Sequence, residues 1–510
     1  MSLAYLSPLP PTRSGISVYS AMLLPALAKR VDVVAVAENP SVARLSGVPV
    51  ISRGEYAARR GEFDDVIYQL GNNPYHEWIY REAYERSGVV VLHDLVLHHL
   101  IVEMTLARGL GDEYVTIMRD NHGEAGEAWA RGRVAGFHDE LGNFLFPASR
   151  HIAQFSRGVI VHNHYASGRL RALGVDRPIT IATMSFDAVI DTSGDARRRK
   201  RAELGIGDDV RLIGMFGFVT ASKRPEQVLS AFALASRRAT NIGLLIVGEP
   251  APNCDLPAMI AEHGVDPAKV HTSGFVSEEE FDAFLAASDR VVNLRYPTAG
   301  ETSGALLRIF AAGRPVAVSD LAQFTEFPPD VATRIPLGEG EVTALSEFML
   351  APDDPFAREA QRGWLKENAG VTGTVDAYIE ALSRSVEVSL PPNDNSPLPL
   401  FPRLSLEGFE LTAEGVSVRL RNSGDTNLRA AVYGTPGYRT IAKVYAGARE
   451  VQNFWISLDS DLHPGDETIL RVKLHGLDEG ELRLHHALEG IPQVDDVPFA
   501  VIPLRVPERS

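Results

Sequence analysis

The segment from Leu294 to Gly313, LRYPTAGETSGALLRIFAAG, holds the residues whose types and spacing best fit chemistry. An apolar run ends in a loop that carries Glu301, and Thr302, Ser303 and Gly304 then open a helical pattern. The first amides of a helix lack intrahelical partners and the helix dipole is positive there, so this junction predicts an anion site. Gly304 permits close approach of a phosphate. The alternative interpretation makes Thr302 a helix cap and Glu301 a solvated loop acid.

Two other phosphate-binding motifs are absent from the sequence. No GxGxxG follows a strand pattern, and no GxxxxGK[ST] occurs anywhere. Simple dinucleotide binding and P-loop phosphoryl transfer are therefore disfavoured.

Short apolar runs alternate with helix-length segments from the N-terminus onward. The predicted strands are Ala4–Ser7, Val31–Val36, Val66–Gln69, Val89–Leu92 and Gly158–His162, and the predicted helices include Ser17–Lys29 and Tyr75–Glu85. Continuous apolar runs suit strands that are covered on both faces, as in a parallel sheet. We predict a Rossmann-like lobe over residues 1–190, with a mainly helical insertion at about 95–156 that forms part of a substrate wall.

The same alternation resumes after residue 191 and continues to residue 386. The predicted strands here are Leu212–Phe216, Gly243–Val247, Val270–Thr272, Arg290–Leu294 and Pro315–Ser319. They indicate a second doubly wound α/β lobe, joined to the first by a link near 183–208. Ligands bind outside the carboxyl ends of such strands, so two facing lobes predict a cleft between them.

The chain changes character after the second lobe. Residues 387–402 are rich in proline and predict a semi-rigid linker. Residues 403–510 alternate apolar and polar side chains between turn signals, which is typical of an all-β, immunoglobulin-like sandwich.

The charge balance limits the kinds of partner. The formal net charge is −16, and residues 1–200 hold equal numbers of basic and acidic side chains, so the whole acidic excess lies after position 200. Nucleic acid is therefore disfavoured as a partner. The basic run Arg197–Arg201 opens a predicted helix, and a solvated helix face is preferred over weak peripheral contact with a membrane.

The cysteine count and the hydropathy pattern bear on location. Cys254 is the single cysteine, which excludes an internal disulfide framework and cysteine-based zinc sites and fits a reducing compartment. The N-terminus lacks a signal-peptide pattern, and no apolar run approaches the roughly 18 residues of a membrane span. We expect a soluble, cytoplasmic protein.

Several short motifs, taken in chain order over roughly residues 1–385, resemble family 4 glycosyltransferases of the GT-B fold. They are Ser14-Gly15-Ile16, His93-Asp94, Gly217 with Lys223, Gly274-Phe275-Val276, Gly300-Glu301 with Gly304, and Ala312-Gly313-Arg314-Pro315-Val316. Each motif is weak alone, but together they stand in order at the ends of the expected strands. The resemblance implies an acceptor-side first lobe and a second lobe that binds a nucleotide-sugar donor.

The resemblance also assigns residues to the donor diphosphate. Gly15 lets the loop of the first lobe approach it, and Lys223 holds it as a point charge. The amides of Ser303 and Gly304, at the helix that Thr302 helps to open, face the phosphates.

Further residues correspond to contacts with the sugar and the base. Glu301 binds sugar hydroxyls, and Phe275 and Val276 lie where the base packs in relatives. His93 matches a residue that contacts the transferred sugar near the reacting carbon. Its alternative interpretation is a histidine whose hydrogen bonds are satisfied at a strand end.

Two positions depart from the family pattern. Relatives usually carry Arg at the position of Phe218, and a second Glu where this chain has Arg308 or Ile309. A guanidinium cannot accept bonds from ribose hydroxyls but can bind phosphate through two N–H groups. We therefore hypothesise that the second cation for the diphosphate is Arg308, the alternative being that Arg308 pairs with a nearby acid.

Metal binding is disfavoured at two candidate positions. Asp459-Ser460-Asp461 spells the DxD motif of other glycosyltransferases, but it lies in the β segment and is typical of a polar turn. His98 and His99 could join His93 only if one helix presented adjacent side chains in one direction. We expect neither metal nor cofactor.

The implied activity is a retaining, metal-independent transfer of a sugar from a nucleotide diphosphate donor to a glycan or lipid-linked acceptor in polysaccharide biosynthesis. Two alternatives remain open. One is a GT-B nucleotide-sugar epimerase, and the other is a non-catalytic glycan-binding or scaffolding protein.

Overall fold

The computed structural model describes residues 2–388 and 404–505 with short gaps. The gaps are 39, 41–44, 46, 138, 140, 189, 355, 413–414, 424–427, 429–437, 459, 461, 464, 475–478 and 489–497. The chain divides into two compact units, residues 1–95 with 152–390 and residues 96–151 with 391–510. The predicted linker falls on residues outside the described ranges, apart from residues 387 and 388.

The first unit begins with a lobe around a parallel sheet. Its strands in the described residues are β1 Ser2–Leu6, β2 Asp32–Ala37, β3 Val50–Ser52, β4 Asp65–Leu70, β5 Val89–Leu92, β6 Gly158–Val161 and β7 Ile179–Ile181, in the order β3-β2-β1-β4-β5-β6-β7. The helices of this part of the chain are α1 Gly15–Leu27, α2 Arg53–Arg59, α3 Glu77–Glu85, α7 Arg150–Gln154 and α8 His164–Ala172, with 3₁₀ turns at Arg60–Glu62 and Pro74–His76. All four residues of β5 and of β6 are buried, as expected for strands covered on both faces.

A second parallel sheet follows in the same unit. Its described strands are β8 Arg211–Phe216, β9 Ile242–Val247, β10 Val270–Thr272, β11 Arg290–Asn293, β12 Val316–Ser319 and β13 Thr333–Ile335, in the order β10-β9-β8-β11-β12-β13. The helices are α9 Gly194–Glu203, α10 Pro225–Ser236, α11 Leu256–Glu262, α12 Glu278–Ala287, α13 Gly304–Ala312, α14 Glu341–Leu350, α15 Ala357–Asn368 and α16 Val371–Ser383, with 3₁₀ turns at Ala221–Lys223, Pro267–Lys269 and Ala322–Glu326. The predicted fold class, two Rossmann-like lobes, is confirmed.

The last helix of this unit returns to the first lobe. The hydroxyl of Tyr19 in α1 donates to that of Tyr378 in α16 at 3.0 Å, and the Phe186 amide donates to the Ala369 carbonyl at 2.9 Å. The predicted boundary at residue 386 assigned α16 to the second lobe, but its polar and apolar contacts tie it to the first. A sequence pattern shows that a helix is amphipathic and not which sheet its apolar face meets.

The basic run in α9 is only partly exposed. Arg201 is fully buried and donates to the carbonyls of Ala287, Gly207 and Val210, and it pairs with Asp289. Lys200 is also buried and pairs with Glu203 and Glu280. The preferred interpretation of a solvated face is wrong for these two side chains, which anchor α9 to the second lobe.

The second unit contains helices and antiparallel sheets. The helices are α4 His98–Met104, α5 Gly111–Val134 and α6 Gly142–Leu145, with a 3₁₀ turn at Leu106–Arg108. The described strands form the sheets β14-β15-β18 and β17-β16-β19-β20, with bounds β14 Leu404–Thr412, β15 Gly415–Asn422, β16 Tyr438–Ala446, β17 Arg449–Ser457, β18 Glu467–Lys473, β19 Glu479–Leu488 and β20 Ala500–Arg505. A C-terminal β-rich region is thus confirmed, and its immunoglobulin-like topology stays a prediction.

Candidate active site

Lys223 ends the 3₁₀ turn that follows β8, and its ammonium group is buried at the carboxyl edge of the second sheet. Nζ donates to the carbonyl of Phe216 at 2.9 Å, and within the described part of the chain no carboxylate forms an ion pair with it. Burial lowers the pKa of Lys223 well below its ordinary value, the charge of Arg295 lowers it further, and that of Glu301 acts in the opposite direction. A buried ammonium without a counter-ion is costly, and an anionic ligand would supply one.

Gly217 makes room for this ammonium. Its φ is +82°, and a Cβ built on it would lie 2.6 Å from Nζ of Lys223. Two more glycines line the ends of the neighbouring strands, Gly248 with φ +146° and Gly274 with φ +67°. A Cβ on Gly248 would lie 2.4 Å from the Gly217 carbonyl oxygen, so this edge is built for close packing of backbone.

The Glu301 carboxylate is held by its own loop. Oε1 accepts from Nε of Arg295 at 3.0 Å, and Oε2 accepts from the Thr298 hydroxyl and the Ala299 amide, each at 3.0 Å. Gln323 braces the loop by donating to the Glu301 carbonyl at 2.9 Å and to the Thr298 hydroxyl at 2.8 Å. The loop therefore presents Glu301 and Arg295 as one ordered ion pair.

Arg295 is a site residue that the sequence interpretation missed. It is the second residue after β11, and its side chain is largely buried. One terminal nitrogen donates to the Leu294 carbonyl at 2.9 Å, which fixes the guanidinium beside Glu301. Its charge lowers the pKa of Lys223, so the two cations interact at this edge of the sheet. The sequence feature that could have identified it is an arginine directly after a predicted buried strand, in a loop that was already assigned to an anion site.

The N-terminus of α13 has the features expected of an anion site. Its cap is Ser303, whose hydroxyl accepts from the Leu306 amide at 3.2 Å, so Thr302 is not the cap. The amides of Gly304 and Ala305 meet no protein acceptor among the residues that the structure describes. They are available to a phosphate at the positive end of the helix dipole.

The two lobes of this unit meet beside that helix. Nδ2 of Asn163 donates to the Gly300 carbonyl at 3.0 Å and to the Thr302 hydroxyl at 3.3 Å. A Cβ on Gly300 would lie 2.8 Å from Cβ of Leu95. A cavity of about 200 Å³ opens here, lined by His162, Asn163, Glu301, Thr302, Ser303 and Gln323 among others.

The two residues assigned to the base differ in exposure. Phe275 is 61% exposed, whereas Val276 packs partly against the core. Phe218, one of the two departures from the family pattern, is 51% exposed. The guanidinium of Arg13, in the loop before α1, lies over the Phe275 ring at 4.8 Å. Gly15 begins α1 and faces open space on its Cβ side. The contact of Phe275 with the base and the approach of Gly15 to the diphosphate stay predictions.

His93 lies at the end of β5 with both ring nitrogens bonded to protein. Nε2 lies 2.7 Å from Oε1 of Gln69, and Nδ1 lies 3.0 Å from Nε2 of His162. Nδ1 of His162 donates to the Ala182 carbonyl at 2.6 Å. These contacts favour the alternative interpretation, a satisfied histidine, because no ring nitrogen is left for a sugar. Its contact with the transferred sugar stays a prediction.

Arg308 does not join Lys223 and Arg295 at the edge of the second sheet. Its guanidinium pairs with Glu278 and Asp282 of α12, with a distance of 3.0 Å to Oδ1 of Asp282. It also lies over the rings of Phe186 and Phe281. These contacts favour pairing with nearby acids over the hypothesis that Arg308 supplies the second cation.

The metal candidates have other partners or lie outside the described residues. Nδ1 of His98 donates to the Phe146 carbonyl at 2.6 Å, and Nε2 lies 2.7 Å from the Tyr114 hydroxyl. Asp459 and Asp461 fall outside the described residues. Across the residues that are described, no group of three or more His, Cys, Asp or Glu side chains is arranged to hold a metal ion.

Sequence comparison finds a protein family that is similar to the part of the chain that forms this edge. Residues 210–351 match the family described as glycosyl transferases group 1, and these residues carry Lys223, Arg295 and Glu301. The similarity to this family covers the part of the second lobe between residues 210 and 351. A curated relative, the 2-deoxystreptamine glucosyltransferase of Streptomyces kanamyceticus, is 26% identical over 226 residues, which is 39% of this chain and 58% of that protein. The match thus spans less than two thirds of the relative.

Solved structures share the fold of the glycosyltransferase lobes. Anabaena HepE, in complex with UDP and glucose, superposes with a TM-score of 0.52 at 15% identity and covers 75% of this chain and 99% of its own. Sucrose-phosphate synthase from Thermosynechococcus elongatus gives a TM-score of 0.51 at 15% identity, over 76% of this chain and 100% of its own. The two lobes therefore have the GT-B arrangement. Among the described residues, no helix is long and apolar enough to cross a membrane.

Proposed function

We propose that this chain is a retaining, metal-independent glycosyltransferase that moves a sugar from a nucleoside diphosphate donor to a glycan or lipid-linked acceptor in polysaccharide biosynthesis. The observation that carries the proposal is the buried ammonium of Lys223, which lacks a carboxylate partner among the described residues and lies in the field of Arg295. A diphosphate is the anion whose charge matches two adjacent cations and a free helix N-terminus.

The same groups account for catalysis of bond cleavage. Negative charge develops on the diphosphate as the bond from the sugar breaks. Lys223, Arg295 and the amides of Gly304 and Ala305 are the groups that we propose to face that charge. Groups that are held in place before the reaction stabilise the transition state without reorganisation. Removal of one such donor costs roughly 2–4 kcal/mol of transition-state stabilisation.

The ligands bound to HepE guide the choice of donor. HepE has been solved with UDP and glucose and with UDP-glucose. UDP-glucose is therefore the first donor to test, and Glu301 is the group proposed to bind its sugar hydroxyls. We propose a cytoplasmic location, which the single unpaired Cys254 supports.

A thermal-shift screen against UDP-, GDP-, dTDP- and ADP-glucose, each with and without EDTA, tests the proposal. A ligand at 100 times its Kd adds about 2.7 kcal/mol of stability. We expect one sugar nucleotide to raise the unfolding midpoint, and we expect its slow hydrolysis to nucleoside diphosphate, in both cases unchanged by EDTA.

Other outcomes are equally informative. A new sugar nucleotide among the products would favour the epimerase. Absence of binding and hydrolysis with every donor would favour the scaffolding protein. Loss of activity in EDTA that Mg²⁺ or Mn²⁺ restores would overturn metal independence.

A further inference from the structure

The end of β5 presents two adjacent side chains that differ in direction. His93 turns inward, where both ring nitrogens are bonded. Asp94 is only half-buried, and its Oδ2 accepts from the Asn72 amide at 2.7 Å. This hydrogen bond orients the carboxylate and leaves acceptor positions on both oxygens for a substrate.

Asp94 faces the second lobe at the place where the lobes touch. The next residue, Leu95, packs under Gly300, and Gly300 precedes Glu301. Burial raises the pKa of Asp94 to about 7, with a further contribution from the charge of Glu301 and an opposing one from the Asn72 amide. The carboxylates of Asp94 and Glu301 influence each other across the cleft, but their environments differ. The negative charge of Glu301 is balanced by the ion pair with Arg295.

We propose that Asp94 is a catalytic residue of the glycosyl transfer, the base that accepts the proton of the attacking hydroxyl. The inference rests on the function proposed above. Because the transfer is retaining, the acceptor oxygen forms its bond to the anomeric carbon on the face from which the diphosphate oxygen departs. The bond from that carbon to the diphosphate oxygen breaks, and its electron pair leaves with the nucleoside diphosphate. The proton of the acceptor hydroxyl passes to the Asp94 carboxylate, which later releases it to solvent.

Two neighbouring groups are poorly suited to the same step. Both oxygens of Glu301 already accept hydrogen bonds, one from Arg295 and the other from Thr298 and the Ala299 amide. The nitrogens of His93 are engaged with Gln69 and His162. A base with a pKa near the operating pH is efficient because it is both ionised and able to take a proton.

Hydrolysis of the sugar nucleotides, in which water replaces the unidentified acceptor, tests this role. We measure release of nucleoside diphosphate from UDP-, GDP-, dTDP- and ADP-glucose between pH 5 and 9. The pH–rate profile of the wild type should have a rising limb centred near pH 7. Asp94→Asn should lower the rate by roughly 100-fold or more and remove the limb, whereas Asp94→Glu should retain part of the rate.

Binding separates this role from donor recognition. The UDP affinity of Asp94→Asn should stay within about twofold of that of the wild type. The control is Asp32→Asn, because Asp32 is exposed at the first position of β2, and this variant should leave both rate and affinity unchanged. Glu301→Gln should move any residual limb to lower pH, because it removes the negative charge that raises the pKa of Asp94.

The failures are distinguishable. If the hydrolysis rate of Asp94→Asn stays within threefold of the wild-type rate and its pH profile shows the same limb, this inference is overturned and the proposed function stays intact. Absence of turnover by the wild type with every donor overturns both.

Discussion

Nζ of Lys223 occupies the space where Gly217 would carry a side chain, 2.6 Å from the ideal Cβ position. Gly217 directly follows β8, and Lys223 returns to the same point six residues later. The position of the ammonium group therefore requires that residue 217 has no side chain. The charge of the lysine is balanced by no ion pair within the described residues.

Gly217→Ala should therefore displace the lysine. Both the left-handed φ and the clash with Nζ oppose the new methyl group, and we expect UDP affinity to fall by at least tenfold. Gly205→Ala is the matched control, because Gly205 has a φ of +68° but nothing within 4 Å of its ideal Cβ. It should cost about 1 kcal/mol of folding stability through backbone strain alone and leave UDP affinity unchanged. Equal loss of affinity in both variants would attribute the effect to strain.

Lys223→Met should make the free protein more stable and the ligand site worse. The substitution replaces a buried cation that lacks an ion-pair partner by an apolar chain of similar length, so the unfolding midpoint without ligand should rise. The stabilisation by UDP should disappear. Lys29→Met, at an exposed position, should change neither quantity. A lower midpoint for Lys223→Met would mean that the lysine stabilises the fold.

The pH dependence of UDP binding follows from the same lysine. In the free protein its pKa lies well below the ordinary value, and a bound diphosphate must raise it, so binding takes up a proton. UDP affinity should therefore fall as the pH rises. Calorimetry in two buffers of different ionisation enthalpy should show this proton uptake in the wild type but not in Lys223→Met.

The two lobes and the loop that carries Glu301 into α13 could be predicted from the sequence because their signals are local. Runs such as Val89–Leu92 show a buried strand, and Glu301 before Ser303-Gly304 shows a loop entering a helix. The three-residue strands β3, β7 and β13 were missed, since so short a run gives only a weak pattern, although β10 of the same length was predicted. The partners of His93 lie 24 and 69 residues away in the chain, so no local pattern reports that its nitrogens are used.

Acid should weaken the first lobe through its buried histidines. Burial lowers the pKa of His162 to about 4, below the ordinary 6.5, so the unfolded chain binds more protons between these values. Stability is therefore fully present above pH 6.5 and is lost as the pH falls toward 4, by about 3 kcal/mol for this group. Urea unfolding at pH 7 and at pH 5 measures the loss of unfolding free energy on acidification. This loss should be smaller for His162→Gln than for the wild type. An unchanged difference would assign the acid sensitivity to other groups.

Arg295 and Arg308 offer a matched pair of variants for the second cation. Arg295 pairs with Glu301 and lowers the pKa of Lys223, whereas Arg308 pairs with Glu278 and Asp282 of α12. Since charge on the ligand is what a second cation recognises, Arg295→Ala should weaken UDP roughly tenfold or more and uridine hardly at all.

Arg308→Ala should weaken UDP and uridine equally, if at all. Phe218→Arg introduces the cation that relatives carry at an exposed position on the same edge, so it should recover part of the UDP affinity of Arg295→Ala. Titration calorimetry measures the affinities of the wild type and the three variants for UDP and for uridine. If Arg308→Ala selectively weakens UDP and Arg295→Ala does not, the diphosphate is held from α13, and the lobe must rearrange on binding to release Arg308 from its two carboxylates.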